Sequence, residues 1–208
     1  MERPASARRP SATATLSAAA AGGAARIPSI PAPTEMNALG RTLGATSIRT
    51  VPVAMLSTGR LVQVPTFLRI EKRWVGELPK EHKTIPNKAA LDFEGVPTYP
   101  EFVLLRLLER DGWEGAWRKN WAGTAFWGDI GLVVEPSPRA QSIFEQIDER
   151  AGFAGAWDIL AWRGSEVLFL TSKPTGNDRI GAYQARWLDT ALGMGMPLHS
   201  FAIVEYQL

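Results

Sequence analysis

Asp158 lies in the apolar run 157–162, and Lys173 closes the run that begins at Glu166. A carboxylate inside an apolar strand is costly unless it is paired or binds a cation. Arg163-Gly164-Ser165 separates the two runs and reads as a β-hairpin turn. Adjacent antiparallel strands bring Asp158 and the Thr171-Ser172-Lys173 end to one edge of a sheet. Acidic and carbonyl oxygens there can hold Mg²⁺, and the lysine can orient or deprotonate a water. The plainer alternative is an exposed edge carboxylate and an ordinary strand-end lysine. The pair favours the site, because alternation lets the two side chains lie alongside.

The elements that must position this pair follow from periodicity. After the breaker Pro174-Thr175-Gly176-Asn177, Ile180, Tyr183, Trp187, Leu188, Ala191 and Leu192 recur at helical spacing. Asp178 is the expected N-cap and Gly193 the stop. Gln184 shares the face of Tyr183, Trp187 and Leu188, so it either holds a backbone group or reaches the site. Residues 198–204 form a final apolar run, expected as a buried strand. Upstream, residues 98–111 read as a helix. Thr98 and Glu101 have capping-box spacing, Pro100 falls in the first turn, and Leu104, Leu105 and Leu108 share a face with Glu101. Glu101 therefore either caps its own helix or leans over the sheet toward Asp158. Residues 136–152 form another helix, opened by Ser137 or Pro138, with Ile143, Phe144 and Ile147 as its stripe.

Over residues 100–206 this order resembles the PD-(D/E)xK nuclease superfamily, and within it the VRR-NUC-type branch. That family shows a first-helix Glu, an Asp-bearing strand, a hairpin, a strand ending Glu-x-Lys, and a helix with Gln-x-x-Trp. The matching positions are Glu101, Asp158, Thr171-Ser172-Lys173 and Gln184-Ala185-Arg186-Trp187. The resemblance implies an α/β fold with a restriction-endonuclease-like core, a central mixed sheet flanked by helices. It also implies hydrolysis of phosphodiesters in nucleic acid, DNA first, with Mg²⁺ or Mn²⁺. Asp158 and Glu101 would be the metal ligands, Lys173 would orient or activate the water, and Gln184 would stand at the site's edge. The chain departs from the pattern at Thr171, where the family has a Glu. Asp178 and Asp189 are the only carboxylates on the following helix that could replace it, and neither spacing is suitable. The competing expectation is a nuclease-fold protein that has lost catalysis and binds nucleic acid or a protein partner.

The remainder of the chain sets bounds. It has 208 residues, a formal charge of +2 and no cysteine, which leaves neither disulfides nor Cys-ligated zinc. With only His82 and His199, His-rich metal sites and triad chemistry have little support. Gly-rich phosphate cradles and a Gly-x-Ser-x-Gly elbow are absent. No apolar run is long enough to span a membrane. Residues 1–34 are rich in Ala, Ser, Pro and Arg and are expected to be a disordered extension. Arg8-Arg9 ahead of residues 13–25 makes export the alternative there. The single large apolar residue of that stretch, Leu16, leaves the cytoplasm as the expectation.

Residues 35–97 are expected as an N-terminal extension with a possible hairpin, 50–55 and 61–70, whose Pro52 and Pro65 suit edge strands or irregular segments. A surface-wrapping loop follows, in which Lys80, His82, Lys83 and Lys88 are expected to be solvated, the alternative being a basic patch of the three lysines near a substrate groove. Residues 98–208 are the nuclease-like domain. Residues 112–131 carry Trp113, Trp117, Trp121 and Trp127 around the basic pair Arg118-Lys119, with Asp129 unassigned. This stretch either covers a core edge or forms a loop whose cations meet phosphates. Arg118, Lys119 and Arg179 are the substrate-binding candidates, and oligomeric state is open.

Overall fold

A computed structural model describes residues 33–85, 88–118, 125–176 and 180–208. The expected extension up to residue 32 lies outside them, as do Lys119, Trp121, Asp178 and Arg179. The order is α1 (Pro33–Thr42), β1 (Ser47–Ala54), β2 (Leu61–Ile70), β3 (Leu91–Phe93), β4 (Val96–Thr98) and α2 (Pro100–Arg110). Then come β5 (Glu114–Arg118), β6 (Phe126–Asp129), β7 (Leu132–Val133) and α3 (Pro138–Ala151). The described chain closes with β8 (Ile159–Arg163), β9 (Glu166–Pro174), α4 (Ala182–Gly193) and β10 (Phe201–Gln207).

Eight strands form one mixed sheet in the order β1-β2-β10-β9-β8-β5-β6-β7, and β3 and β4 form a separate pair. β10 is parallel to both β2 and β9, and the other pairings are antiparallel. The period-two alternation of the central strands divides the core. Leu160, Trp162, Phe169, Phe201 and Ile203 meet Phe144 and Ile147 of α3 and Trp187 and Leu188 of α4. Ile159, Ala161, Leu168, Leu170, Ala202 and Val204 meet Phe102, Leu105 and Leu108 of α2. The sheet is thus covered on both faces, an α/β architecture with a central mixed sheet, as expected.

Local chemistry explains the joints. Arg163 pairs with Glu166, leaving Gly164-Ser165 as a two-residue turn. Gly164 takes φ +57°, a conformation that only glycine adopts without steric cost. Ser137 caps α3 by accepting the Ala140 N–H at 3.3 Å.

Five expectations need correction. Residues 114–118 and 126–129 are strands, although their Gly- and Trp-rich sequence lacks a clean alternation. α2 opens at Tyr99 without a side-chain cap, because Thr98 belongs to β4 and the Glu101 side chain is bonded elsewhere. The final strand starts at Phe201, since residues 198–200 coil into a 3₁₀ turn. β2 is interior despite Pro65. Its register with β10 begins at Thr66, so the missing proline N–H breaks no rung there. Asp158 lies in a bend one residue ahead of β8 rather than inside the strand. That position lets a carboxylate reach the strand end without entering the apolar core. Among the described residues, no helix is long and apolar enough to cross a membrane.

Candidate active site at the ends of β8 and β9

Ile159 stands opposite Leu170, and one further step along that register sets Asp158 opposite Thr171. Their side chains meet: the Thr171 hydroxyl donates to Asp158 Oδ2. The same oxygen accepts the Ser172 N–H at 3.2 Å. Both recorded bonds to the carboxylate therefore end on one oxygen. Thr171 is fully buried, so its hydroxyl needs this acceptor.

Gln184, in the first turn of α4, closes a circuit. Its Nε2 donates to Thr171 Oγ1 at 3.2 Å, and its Oε1 accepts from Lys173 Nζ at 3.2 Å. One amide thus fixes the hydroxyl that holds Asp158 and the lysine two residues farther along β9. The backbone of α4 is fixed in turn, because the indole N–H of Trp157 donates to the Gln184 carbonyl at 3.4 Å. A Cβ on Gly155 would fall 2.1 Å from the Tyr183 carbonyl oxygen, so only glycine permits this approach. The turn that leads into Asp158 and the helix that carries Gln184 are packed backbone to backbone.

Glu101 approaches from α2, on the other face of the sheet, and is buried. Lys88 Nζ donates to its Oε1 at 2.6 Å and stands 4.7 Å from the centre of the Trp117 ring. Glu101 Oε2 has no hydrogen-bond partner. Burial pushes the Glu101 carboxyl above its ordinary value, Lys88 opposes this, and the negative charge of Asp158 reinforces it. The two carboxylates are electrically coupled although they approach from opposite faces.

The pH dependence follows from that direction. A carboxyl with a raised folded-state pKa binds protons more tightly folded than unfolded. Its contribution is fully present below the ordinary value of 4.5 and is lost as pH rises through the raised one. Glu101→Gln is therefore expected to flatten the fall in urea midpoint with rising pH above 4.5. An unchanged slope would show that the burial of this carboxyl carries no linkage.

The other candidates are placed plainly. Arg118, expected in a loop facing substrate, is in β5 and only 4% exposed. Its guanidinium lies 5.0 Å from the Phe126 ring centre and 4.9 Å from that of Phe144. Burial lowers its pKa, against the pull of Asp148. Its backbone N–H donates to the Asp158 carbonyl at 2.6 Å, so Arg118 supports the site through its main chain. Lys119 and Arg179 lie outside the described residues. Asp189 accepts the N–H and hydroxyl of Ser57, both at 2.7 Å, fastening the β1–β2 turn to α4. Asp129 pairs with Arg106 of α2.

Two residues assigned to a solvated loop are structural partners instead. Lys88 holds Glu101, while His82 Nε2 lies 2.9 Å from the Pro97 carbonyl and its ring packs on Tyr99. Tyr99 donates its hydroxyl to the His82 carbonyl at 2.5 Å. No local spacing pairs Lys88 with Glu101, since the partnership depends on the strap folding back over α2.

Among the described residues, no three or more His, Asp or Glu side chains gather to hold a metal. Carboxylate oxygens such as those of Asp158 and Glu101 match the donor chemistry of Mg²⁺, which keeps several waters and is bound through one or two carboxylates plus substrate phosphate. The orphaned, buried Oε2 of Glu101 is the atom such a cation would satisfy. Compared with family models, curated proteins and solved structures, the chain matches none.

Proposed function

We propose that the chain is a metal-dependent nuclease of the VRR-NUC-like type, with a restriction-endonuclease-like core spanning α2 to β10. The observation that carries this reading is the circuit Asp158–Thr171–Gln184–Lys173 beside a buried Glu101 with one unbonded oxygen. The reading is supported by the order of the elements that carry these residues, α2, the bend before β8, β9 and α4, which is the order the resemblance implies.

Asp158 and Glu101 would hold Mg²⁺ or Mn²⁺, which when bound supplies charge neutralisation at the phosphate and lowers the pKa of a bound water. Thr171 fixes the Asp158 rotamer from one side and leaves Oδ1 for the cation. Lys173, held by Gln184, orients the attacking water and offers positive charge to the phosphate oxygens. Water attacks phosphorus in line and gives up its proton to solvent, the P–O bond to the leaving strand breaks, and the departing oxygen takes a proton from solvent. DNA is the proposed polymer.

A second reading has its own support. Lys88 and Thr171 each already occupy one oxygen of a carboxylate, and Thr171 supplies no charge of its own. A non-catalytic nuclease-fold protein that binds nucleic acid or a protein partner fits the same arrangement. Cleavage of single-stranded, duplex and branched DNA, run beside Mn²⁺ calorimetry, separates the two. Wild-type cutting with Mn²⁺ binding supports the nuclease.

Thr171→Glu is expected to tighten Mn²⁺ binding by about tenfold, or roughly 1.4 kcal/mol. Without metal it should cost about 1–3 kcal/mol of stability, because it places a second carboxylate beside Asp158 in a buried position. A silent wild type beside a cutting Thr171→Glu would select the non-catalytic reading. Silence in both, with no metal bound, would reject the nuclease site.

A further inference from the structure

The expected phosphate contacts leave the substrate path open, since Arg118 is buried and Lys119 and Arg179 lie outside the described residues. Two other cations stand at the same end of the sheet. β2 and β9 both run parallel to β10, so all three strands finish at the end where Lys173 and Asp158 sit. Only β10 separates β9 from β2, which places their strand ends two spacings, about 10 Å, apart. The chain leaving β2 carries Lys72 and Arg73, both exposed.

This segment is held in place rather than free. Lys72 O accepts the Asp92 N–H at 2.7 Å, Trp74 N–H donates to Ala90 O at 3.0 Å, and Arg73 bridges Leu91. The strap it pairs with also carries Lys88, the partner of Glu101. The ledge and the site are therefore braced by one piece of backbone. Electrostatics connects them as well. Burial and the charge of Glu101 both push the Tyr206 phenol up, while Arg73 pulls it down.

Two nearby carboxylates are paired with other cations, Glu71 with Arg69 at 2.6 Å and Glu94 with Arg110 at 2.7 Å, and Asp92 bonds the Gly95 N–H at 2.9 Å rather than either cation of the ledge. No described ion pair or side-chain hydrogen bond engages Lys72 or Arg73. Two uncompensated, exposed cations on an ordered backbone beside a candidate phosphodiester site form a surface for a polyanion.

We infer that Lys72 and Arg73 form a phosphate-binding ledge along which a nucleic-acid strand reaches the Asp158 end of the sheet. The inference rests on the nuclease reading for the choice of polymer, but it concerns binding, which persists without metal or cleavage. The test is fluorescence anisotropy of labelled single-stranded and duplex DNA across a salt series, in EDTA. The proteins compared are the wild type, Lys72→Ala/Arg73→Ala, and an equal-charge control, Arg60→Ala/Arg139→Ala, at the opposite end of the sheet.

Losing two phosphate contacts should reduce the slope of log K against log salt by about 1.4 on single strands and about 1.8 on duplex. The control should keep the wild-type slope, and all three unfolding midpoints should agree, because the substituted residues are exposed. A ledge variant with the wild-type slope, equal losses in ledge variant and control, or a wild type that binds neither DNA would overturn the ledge. Binding through the ledge by a protein that never cuts would reject the nuclease reading alone. Cutting with a slope indifferent to Lys72 and Arg73 would reject the ledge alone.

Discussion

Asp158→Ala is expected to lower Mn²⁺-supported DNA cleavage by at least about a thousandfold, or roughly 4 kcal/mol of transition-state stabilisation. Among the described residues, this carboxylate is the one negative group tied directly to the Thr171–Gln184–Lys173 circuit. Its removal takes away the proposed metal ligand and leaves Glu101 alone on the far face. The structural cost should be moderate. Gln184 Nε2 only donates to Thr171, so the buried Thr171 hydroxyl loses its acceptor and the Ser172 N–H loses a partner, with about 1–3 kcal/mol at stake. For a domain of this size each kcal/mol is a midpoint shift of about 2–4 °C. Asp158→Asn preserves the shape and an acceptor for Thr171, so it should fold like the wild type and still fail to cut. Retention of cleavage within tenfold in Asp158→Ala, assayed in protein free of contaminating nuclease, would remove Asp158 from the mechanism.

Trp187→Ala is expected to cost about 3–5 kcal/mol in urea unfolding. Trp187 is fully buried, with ring centres 4.8 Å from Phe169, 5.7 Å from Phe144 and 6.4 Å from Phe201. It joins α3, α4 and two central strands, so truncation opens a cavity that no single element can fill. Against a total stability of about 5–15 kcal/mol the loss is large. Trp187→Phe should cost less, since it keeps part of the ring packing and discards an indole N–H that has no partner. Gln184 lies one turn earlier on the same helix, so cleavage should fall in Trp187→Ala even at temperatures where it remains folded. A loss under 1 kcal/mol would show that α4 is held mainly by its hydrogen bonds.

The sequence made the central elements legible for a physical reason. The hairpin of β8 and β9, the stripe of α4 and the leucines of α2 are periodic, because each buries one face or lies wholly within the core. Lys173 and Gln184 could be placed from that periodicity, while Asp158, expected inside a strand, lies in the bend just ahead of β8, and the three are joined through Thr171 at one end of the sheet. Thr171 was visible as the position where the family pattern departs, but its role as the hydroxyl bridging Asp158 and Gln184 depends on register. β5 and β6 were hidden by Gly and Trp, whose spacing does not follow a strict period of two. Arg118 was a phosphate-contact candidate under the loop alternative, whereas two phenyl rings and Asp148 accommodate it in the core. Lys88 could not be assigned, since its partner lies across a folded strap.

The position of β10 bears on how the chain reaches this state. β1 and β2 come from the early part of the sequence, β5 to β9 from the later part, and β10 alone hydrogen-bonds to both groups. It is translated after every other strand of the sheet. Until it leaves the ribosome, β2 and β9 each present an open, largely apolar edge with no neighbour to cover it. Closure of the sheet therefore waits for the final insertion of a central strand, a step of high contact order that is slow for topological reasons. A nascent chain stalled before Phe201 would carry two unjoined half-sheets, the species most exposed to aggregation and to chaperone capture.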